Sequence, residues 1–350
     1  MYEFFKKGMS SIGSISYKAK RRQIIVSAFI CCAFVVIITF GFFLVQSLGE
    51  RGDGAEGQQS DSAAVADKNV LSGGNPDLPS AAQHQTEYVT VASDEIYRGP
   101  LILVNAETAY RFPEDETEIS SVYEEKNEYY KVSSRSEALH GEALKALNEM
   151  TAAFFEETGL DDIMVNSSYR TMDEQRKVYE STVQIRGEEY AQTYVSMPGY
   201  SEHHTGLAAD LAIYTDEGSM YTFDGRAEYN WIYEHCAEFG FVMRYPENKT
   251  DITGIGYESW HFRYVSEPHA LAMTVKGLCL EEYIEYVRLF TYEGDRLTAV
   301  APNGERYEIY YVAAESGSEQ QIPVPEGSSY QISGNNIDGF VVAVYTGTAA

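Results

Sequence analysis

Two short stretches of the sequence carry residue types that can bind a metal ion and activate water. Residues 201–210 contain His203 and Asp210, and a later stretch adds Glu258 and His261. Two histidines and a carboxylate are a ligand set of catalytic zinc sites, in which a fourth position stays open for water and a base lies nearby. These residue types therefore predict a hydrolytic metal centre.

The spacing within the two stretches indicates how the side chains can meet. His203 and Asp210 are seven residues apart, and this odd spacing would put them on opposite faces of one regular strand. Gly206 permits a turn between them, so we expect His203 on a loop and Asp210 on the strand that follows. Glu258 and His261 are close enough in sequence for one to bind the metal while the other lies beside the attacking water.

The elements that must position these residues predict an α+β fold, in which a small antiparallel sheet is flanked by helices. Apolar residues at helical spacing predict a helix over 136–157 that stops at Gly159. Further helices are predicted over 171–183 and 228–239. Strands are predicted over 101–105, 207–214 and 258–265, with another that starts at 164 and runs into a loop.

Two of these elements direct side chains toward a cleft. In the strand over 258–265, alternation places the aromatic residues on a buried face and His261 on the other. Thr171 and Glu174 form a capping box at the start of a helix. Arg170 therefore lies at a strand-to-helix junction, from which its side chain can project into the cleft.

Composition excludes some classes of partner and site. The 350 residues are 44% apolar and carry a formal net charge of −27, which argues against nucleic acid as a partner because phosphate binding needs clustered Lys and Arg. The sequence has four cysteines and no CxxC motif, so a cysteine-rich zinc site is excluded. Cys236 and Cys279 lie outside the apolar run that holds the other two, and either a disulfide or two buried free thiols fits the pattern.

The N-terminal region has the features of a membrane anchor. Residues 24–45 are an apolar run without a charge, long enough to span a bilayer, and four basic residues precede it closely. The positive-inside rule places residues 1–23 in the cytoplasm and the rest outside the cell membrane, which the chain crosses once. A cleaved signal peptide is the alternative. Residues 46–86 have a linker composition and predict a flexible tether of about 35 Å.

The remaining chain divides into two predicted parts. Residues 87–289 contain the candidate metal site and predict a catalytic domain. Residues 290–350 are rich in β-like segments and predict a small C-terminal module, in which Asn303-Gly304 is a strong signal for a hairpin turn.

Several motifs, in their order along the chain, resemble the zinc D-alanyl-D-alanine carboxypeptidases of the VanY type. The resemblance covers roughly residues 88–286. Two differences from the family pattern are Ser259, where the family often has proline, and Thr171, where it has serine. The motifs that carry the resemblance are Ser-Tyr-Arg-Thr at 168–171 with Gln175, Ser-x-His-x-x-Gly-x-Ala-x-Asp at 201–210, Phe-Gly-Phe-Val-Met-Arg-Tyr-Pro at 239–246, and Glu-x-Trp-His at 258–261 within a longer match to 265.

This resemblance implies a fold of the hedgehog/DD-peptidase type and a role for each site residue. Glu258 is the implied general base, which takes a proton from water and passes it to the leaving amine. Arg170 is implied to stabilise the oxyanion or to hold a substrate carbonyl. His204 is a rival metal ligand by position, but it does not keep the motif spacing. The implied ligands of Zn²⁺ are His203, Asp210 and His261, and the implied peptide-binding residues are Ser201 and Gln175.

The implied function is removal of the terminal D-alanine from peptidoglycan stem peptides by a membrane-anchored zinc metallopeptidase. Three alternatives remain open at this stage. Two keep the fold and the metal: an L,D-carboxypeptidase that acts on the tetrapeptide stem, and an endopeptidase that cuts cross-links. The third is a non-catalytic protein that binds the cell wall, since a fold does not fix a function.

Overall fold

The structure, a computed structural model, describes residues 85–114 and 118–348. The predicted cytoplasmic segment and membrane helix lie outside the described residues, as does nearly all of the predicted linker. Within the two described ranges, no helix combines the length and the apolar character that a membrane span requires.

The described strands and helices follow one another in mixed order along the chain. The strands are β1 (Thr86–Ala92), β2 (Ile119–Ser121), β3 (Lys131–Val132), β4 (Ala138–His140), β5 (Ile163–Ser167), β6 (Ala208–Tyr214), β7 (Met220–Thr222), β8 (Phe241–Tyr245), β9 (Glu258–Tyr264), β10 (Leu297–Val300), β11 (Glu305–Ala313), β12 (Glu319–Pro325), β13 (Tyr330–Gly334) and β14 (Gly339–Thr348). The α-helices are α1 (Val122–Glu125), α2 (Gly141–Thr158), α3 (Met172–Arg186), α4 (Glu188–Tyr194), α5 (Asn230–His235), α6 (Thr250–Thr253), α7 (Glu267–Lys276) and α8 (Leu280–Val287).

The sheet that carries the predicted site has the strand order β3-β5-β6-β9-β8, and β7 pairs with β6 beside this path. All neighbours in it are antiparallel except β3 and β5. Strands β6 and β9 lie in the middle of the sheet and hold Asp210 and His261. The α+β fold class predicted from the sequence is confirmed.

Helix α2 covers one face of this sheet. Its apolar residues pack in one buried cluster with the inward side chains of the strands, among them Leu211 and Phe262. Gly159 ends the helix in the left-handed conformation, with φ of 74°, as predicted. The start of the helix was predicted five residues too early, because Ala138–His140 pairs with Ile119–Ser121 as a strand and leaves the helix to begin at Gly141.

Two other element predictions need correction. The predicted helix over 228–239 is broken into α5 between two short 3-10 turns. The apolar run at 101–105 is buried, but it forms no strand. Side chains replace a strand partner there: the Arg263 guanidinium donates to Ile102 O and Asn336 Nδ2 donates to Leu103 O. Both backbone groups are therefore satisfied without a neighbouring strand.

The C-terminal residues form a second sheet with the order β10-β11-β14-β13. One face of it packs on α7 and α8, where Ile309 and Val341 join the same buried cluster as Ile284. The other face, with Phe340, packs against apolar residues of β12. The predicted hairpin turn at Asn303-Gly304 joins β10 to β11.

Strand β1 pairs with β12 along its whole length. Residues 86–92 therefore contact the C-terminal part of the chain, although nearly all of them fall within the range predicted for the catalytic domain. The division at residues 289 and 290 stays a prediction. Cys236 and Cys279 are both buried free thiols, which is one of the two alternatives that the sequence left open.

Candidate metal centre

Three predicted ligands meet at the centre of the first sheet. Asp210 on β6 lies directly opposite His261 on β9, and His261 Nδ1 is 3.0 Å from Asp210 Oδ1. His203 comes from the 3-10 turn Glu202–Thr205 that leads into β6, and its Nε2 is 3.4 Å from Asp210 Oδ2. One donor atom from each of the three residues lies within 4.8 Å of the other two. A single metal ion can therefore contact all three.

The turn between His203 and Asp210 depends on Gly206. Its φ of 68° is in the left-handed region that favours glycine. A Cβ atom at this position would lie 2.5 Å from Ile119 Cδ1 and 2.9 Å from the backbone nitrogen of His140. Any larger residue would therefore displace the turn that presents His203 to the strand.

The imidazole of His203 is oriented by a backbone carbonyl. Its Nδ1 is 2.7 Å from Ser168 O, which can only accept a hydrogen bond, so Nδ1 carries the proton. The other nitrogen, Nε2, then presents its lone pair toward Asp210. Burial lowers the pKa of His203 to about 4, which keeps the ring neutral near pH 7. A neutral imidazole whose second nitrogen donates to a fixed acceptor is the usual form of a metal-binding histidine.

His261 has the opposite orientation and presents Nδ1 to the site. Its Nε2 is 3.3 Å from Oε2 of Glu202, a buried carboxylate. Burial lowers the pKa of His261, but the hydrogen bonds to Asp210 and Glu202 outweigh it and raise this pKa to about 9. In the metal-free protein the ring is therefore positively charged near pH 7, and it places a cation between the carboxylates.

Glu258 lies beside the three ligands because β9 is irregular at its start. On this strand Phe262 pairs with Met243, but Glu258 already pairs with Tyr245, so β9 has extra residues between the two pairs. On a regular strand, side chains three positions apart point to opposite faces. The irregularity brings Glu258 Oε2 to 3.6 Å from His261 Nδ1. Burial raises the pKa of Glu258 to about 8.

Arg170 reaches the same point from the junction between β5 and α3. Its Nη2 donates to Asp210 Oδ2 at 3.1 Å, and its Nε donates to Ser167 Oγ at 3.0 Å. Its Nη1 donates to Gln175 Oε1 at 3.0 Å. The side chain is 18% exposed, so the guanidinium borders the site and still reaches solvent. The capping box of Thr171 and Glu174, predicted from the sequence, is formed at this junction.

The two predicted peptide-binding residues have internal contacts. Gln175 is buried, and its Nε2 donates to Ser196 O at 2.7 Å while its Oε1 holds Arg170. Ser201 is also buried, and its hydroxyl accepts from the backbone N–H of His203 at 3.4 Å. Gln175 therefore helps to position Arg170, and Ser201 helps to position His203. Contact of either residue with a peptide stays a prediction.

The rival ligand His204 lies outside the group of three. Its Nε2 accepts from the backbone N–H of Gly199 at 3.0 Å, so its Nδ1 carries the proton and donates to Arg170 O at 2.7 Å. Both ring nitrogens are thus occupied by backbone groups. His204 fixes the backbone of Arg170 and has no nitrogen left for a metal.

Sequence reasoning missed the residues behind His261. Glu202 accepts from two buried arginines, Arg244 and Arg263, and it also contacts the imidazole. Two signals were present in the sequence. Glu202 lies between two residues of the first motif, and Arg263 shares the strand face of His261 by alternation. An arginine that alternates with a candidate ligand indicates a buried acidic partner.

The donor set fits zinc. Two imidazole nitrogens and one carboxylate oxygen are ligands that Zn²⁺ commonly takes, and three protein ligands leave a position open. Each histidine also has a fixed hydrogen-bond acceptor on its other nitrogen, Ser168 O in one case and Glu202 in the other. Acceptors that fix the second nitrogen of each histidine in this way are typical of metal sites in proteins.

Comparisons with known proteins point to one family of peptidases. Residues 136–267 match the VanY family of D-alanyl-D-alanine carboxypeptidases. A D-alanyl-D-alanine carboxypeptidase of Enterococcus faecium is 35% identical over 282 residues, which cover 77% of this chain and 82% of that protein. The bifunctional D-Ala-D-Ala dipeptidase and carboxypeptidase VanXYC of Enterococcus gallinarum is 40% identical over 134 residues, which cover 37% of this chain and 70% of that protein.

A solved structure is also similar over most of the chain. The vancomycin-resistance D,D-dipeptidase VanXYg, in complex with a D-Ala-D-Ala phosphinate analogue, has a TM-score of 0.66 and 30% identity, and the match covers 75% of this chain and 100% of that one. The fold, the assembled site and the long match to the Enterococcus faecium enzyme lead to one assignment. The chain belongs to the VanY-type D-alanyl-D-alanine carboxypeptidase family and is a cell-wall peptidase.

Proposed function

We propose that this carboxypeptidase is a zinc enzyme in which His203, Asp210 and His261 hold the metal. The observation that carries the proposal is the convergence of three donor atoms within 4.8 Å beside the carboxylate of Glu258. A zinc ion bound there would polarise the scissile carbonyl and lower the pKa of a bound water toward about 7. The surrounding side chains supply the rest of the chemistry.

Glu258 is the proposed general base and acid. Burial keeps its pKa high, at about 8 in the metal-free protein, and a cation bound beside it would bring this value down toward neutrality. A group with a pKa near the working pH can both take a proton from water and return it to the leaving amine. The carboxylate oxygen of Glu258 lies 3.6 Å from His261 Nδ1, beside the proposed metal position.

Arg170 is proposed to bind the oxygen on which negative charge develops. Its guanidinium is partly exposed, and Gln175 and Ser167 hold two of its nitrogens. A permanently charged group that is fixed before the substrate arrives stabilises the transition state without reorganisation. The contact of Nη2 with Asp210 can be exchanged for a substrate oxygen when a metal ion takes over the carboxylate.

The substrate is proposed to be a peptidoglycan stem that ends in D-Ala-D-Ala. The E. faecium relative is a D-alanyl-D-alanine carboxypeptidase, and VanXYC also acts as a D-Ala-D-Ala dipeptidase. The test is mass spectrometry of three substrates incubated with the full chain in detergent: the pentapeptide stem, the tetrapeptide stem and free D-Ala-D-Ala. Loss of one D-alanine from the pentapeptide, abolished by a chelator and restored by zinc, is the expected result. Release from the tetrapeptide alone would assign L,D-activity instead.

We further propose that residues 24–45 anchor the protein in the cell membrane, with the peptidase outside. The support is the length of the apolar run and the basic residues before it. The test is fractionation of cells that produce the full chain, with an alkaline carbonate wash and external protease. We expect the protein in the washed membranes and degradation of the peptidase part. A shortened protein in the medium would instead support a cleaved signal peptide.

A further inference from the structure

A cluster of buried charges lies directly behind His261. The side chains of Glu202, Arg244 and Arg263 are fully buried, and Glu281 is 13% exposed. Removing charges from water is costly, and a buried ion pair is often no more stable than apolar residues of the same size. A gain in stability therefore does not explain this cluster. Its contact with His261, a proposed metal ligand, suggests a functional role instead.

The two carboxylate oxygens of Glu202 contact different partners. Oε1 accepts from Arg244 Nε at 2.7 Å and from Arg263 Nη1 at 2.9 Å. Oε2 remains for His261 Nε2, at 3.3 Å. The two arginines thus fix the direction of the carboxylate, and the carboxylate in turn fixes the proton of the imidazole on Nε2. Nδ1 then faces Asp210 and the metal position, and loss of its proton would free its lone pair for a metal ion.

The two arginines connect this contact to separate parts of the chain. Arg263 Nη2 donates to Pro100 O and Ile102 O, at 2.9 Å each. Arg244 binds Glu281 with both terminal nitrogens, at 2.9 and 2.7 Å. Such a bidentate pair has a defined geometry and holds both partners in place. Arg244 on β8 and Arg263 on β9 therefore hold Glu202, and residues 100–102 and Glu281 hold the two arginines in turn.

Glu281 extends the connection to the C-terminal sheet. It lies on α8, whose apolar face, with Ile284 and Val287, packs in one buried cluster with Ile309 and Val341 of that sheet. Helix α8 is therefore held from one side by the sheet and contacts the arginine on the other. The sequence indicated no chemistry for the predicted C-terminal module. In the structure it packs against α8, and α8 contacts Arg244, which holds Glu202 beside His261.

We propose that Glu202 is a positioning residue of the metal centre, which holds His261 with Nδ1 toward the metal, and that Arg244 and Glu281 couple this contact to α8. The inference rests on the proposed zinc function. Glu202 contacts His261 and is not one of the three candidate ligands. Its removal is expected to weaken metal binding and to change the geometry around the metal, rather than only to lower activity.

The test compares the full-length chain with its Glu202→Gln variant. Gln keeps an oxygen that can accept from His261 but loses the charge that fixes the two arginines. We expect zinc affinity, measured by competition with a chelator, to fall roughly 10- to 100-fold, the usual effect of changing a residue behind a metal ligand. The visible spectrum of the cobalt-substituted protein is expected to shift, which a purely structural role would not produce. Zinc affinity within twofold of wild type, with an unchanged cobalt spectrum, would overturn the proposal.

A second comparison decides the matter if Glu202→Gln does not fold. Glu281→Gln leaves the contact between Glu202 and His261 in place and removes only the distant support, so a smaller loss of zinc affinity, about threefold to tenfold, is expected. Glu282→Gln, on the same helix as Glu281, is the matched control, since its side chain binds Lys249 and not Arg244. Equal zinc affinity in both variants would overturn the coupling to α8. Failure of the wild type itself to bind zinc would refute the proposed function instead.

Discussion

Asp210 and His261 face each other as direct partners across β6 and β9, and their side chains approach to 3.0 Å. The backbone register of two central strands therefore sets the distance between two of the three predicted ligands. Because a sheet register cannot drift without breaking a row of hydrogen bonds, this pair is organised before any metal arrives. Only His203, on the turn before β6, depends on loop geometry.

The first prediction concerns the metal. Incubation with a strong chelator is expected to abolish release of D-alanine, and stoichiometric zinc is expected to restore it. Replacing a residue that only contacts a metal ligand lowers metal affinity about 10- to 100-fold. Asp210→Ala removes a proposed ligand itself, so it is expected to lower zinc affinity by more than this. Isothermal titration with zinc measures the affinity. Full activity in the presence of excess chelator would contradict the zinc assignment.

The second prediction separates the base from the ligands. Glu258→Gln keeps the size of the side chain and removes its capacity to take a proton, so turnover is expected to fall by about 10²- to 10⁴-fold. Zinc content, measured by atomic absorption, is expected to stay at one ion per chain. Glu228→Gln, at an exposed position, is the control and is expected to retain full turnover. Normal hydrolysis by the Glu258 variant would show that another group is the base.

The third prediction concerns the support of Arg170. Gln175→Leu removes the oxygen that accepts from Arg170 Nη1. A hydrogen bond to a charged group contributes about 1.5–3 kcal/mol, so kcat/KM for the pentapeptide is expected to fall roughly 10- to 100-fold with zinc retained. Gln192→Leu, exposed on α4, is the matched control. A fall in zinc content instead of kcat/KM would mean that Gln175 serves the metal and not the guanidinium.

The fourth prediction concerns stability in acid. His269 is buried between α7 and α8, 2.7 Å from the Tyr283 hydroxyl, and burial lowers its pKa to about 3. An unfolded histidine has a pKa of about 6.5, so the unfolded chain binds the extra proton first and stability is lost as the pH falls from about 6.5 toward 3. At pH 5 this loss is on the order of 2 kcal/mol, from 1.36 kcal/mol per pH unit.

The measurement is the midpoint of thermal unfolding at pH 7.5 and pH 5, with chelator present throughout so that zinc release does not contribute. His269→Gln is expected to lose less stability between the two pH values than the wild type. His235→Gln changes a histidine whose side chain is 35% exposed and serves as the control. An equal loss in the wild type and the His269 variant would exclude His269 as a source of the acid sensitivity.

How far the sequence predicts this structure depends on how local each feature is. The left-handed stop at Gly159, the capping box at Thr171 and the turn at Gly206 were all predicted, because each depends on a few neighbouring residues. The strand predicted at 101–105 was wrong, since the carbonyls of Ile102 and Leu103 accept from side chains more than 150 residues away. Apolar composition indicates burial but not what a backbone group will bind.

In the candidate site, too, the sequence predicts local features and misses contacts between distant residues. His203, Asp210, Glu258 and His261 were predicted to lie together because motif spacing is visible in the sequence, and the structure brings their side chains together. Glu202 lay between two of the residues of the first motif and was missed, because its function depends on Arg244, which is 42 positions away. The orientation of each imidazole is also a tertiary property, since it follows from what its second nitrogen contacts.

The pairing of β1 with β12 has a mechanical consequence. If residues 24–45 anchor the chain, tension from the membrane would reach the described residues at Gln85, at the end where Thr86 pairs with Pro325. The outermost hydrogen bond at this end, from Glu326 N–H to Gln85 O at 2.7 Å, would carry this load first. A stretched tether would separate β1 from β12, while β6 and β9, which carry two of the predicted metal ligands, would keep their pairing.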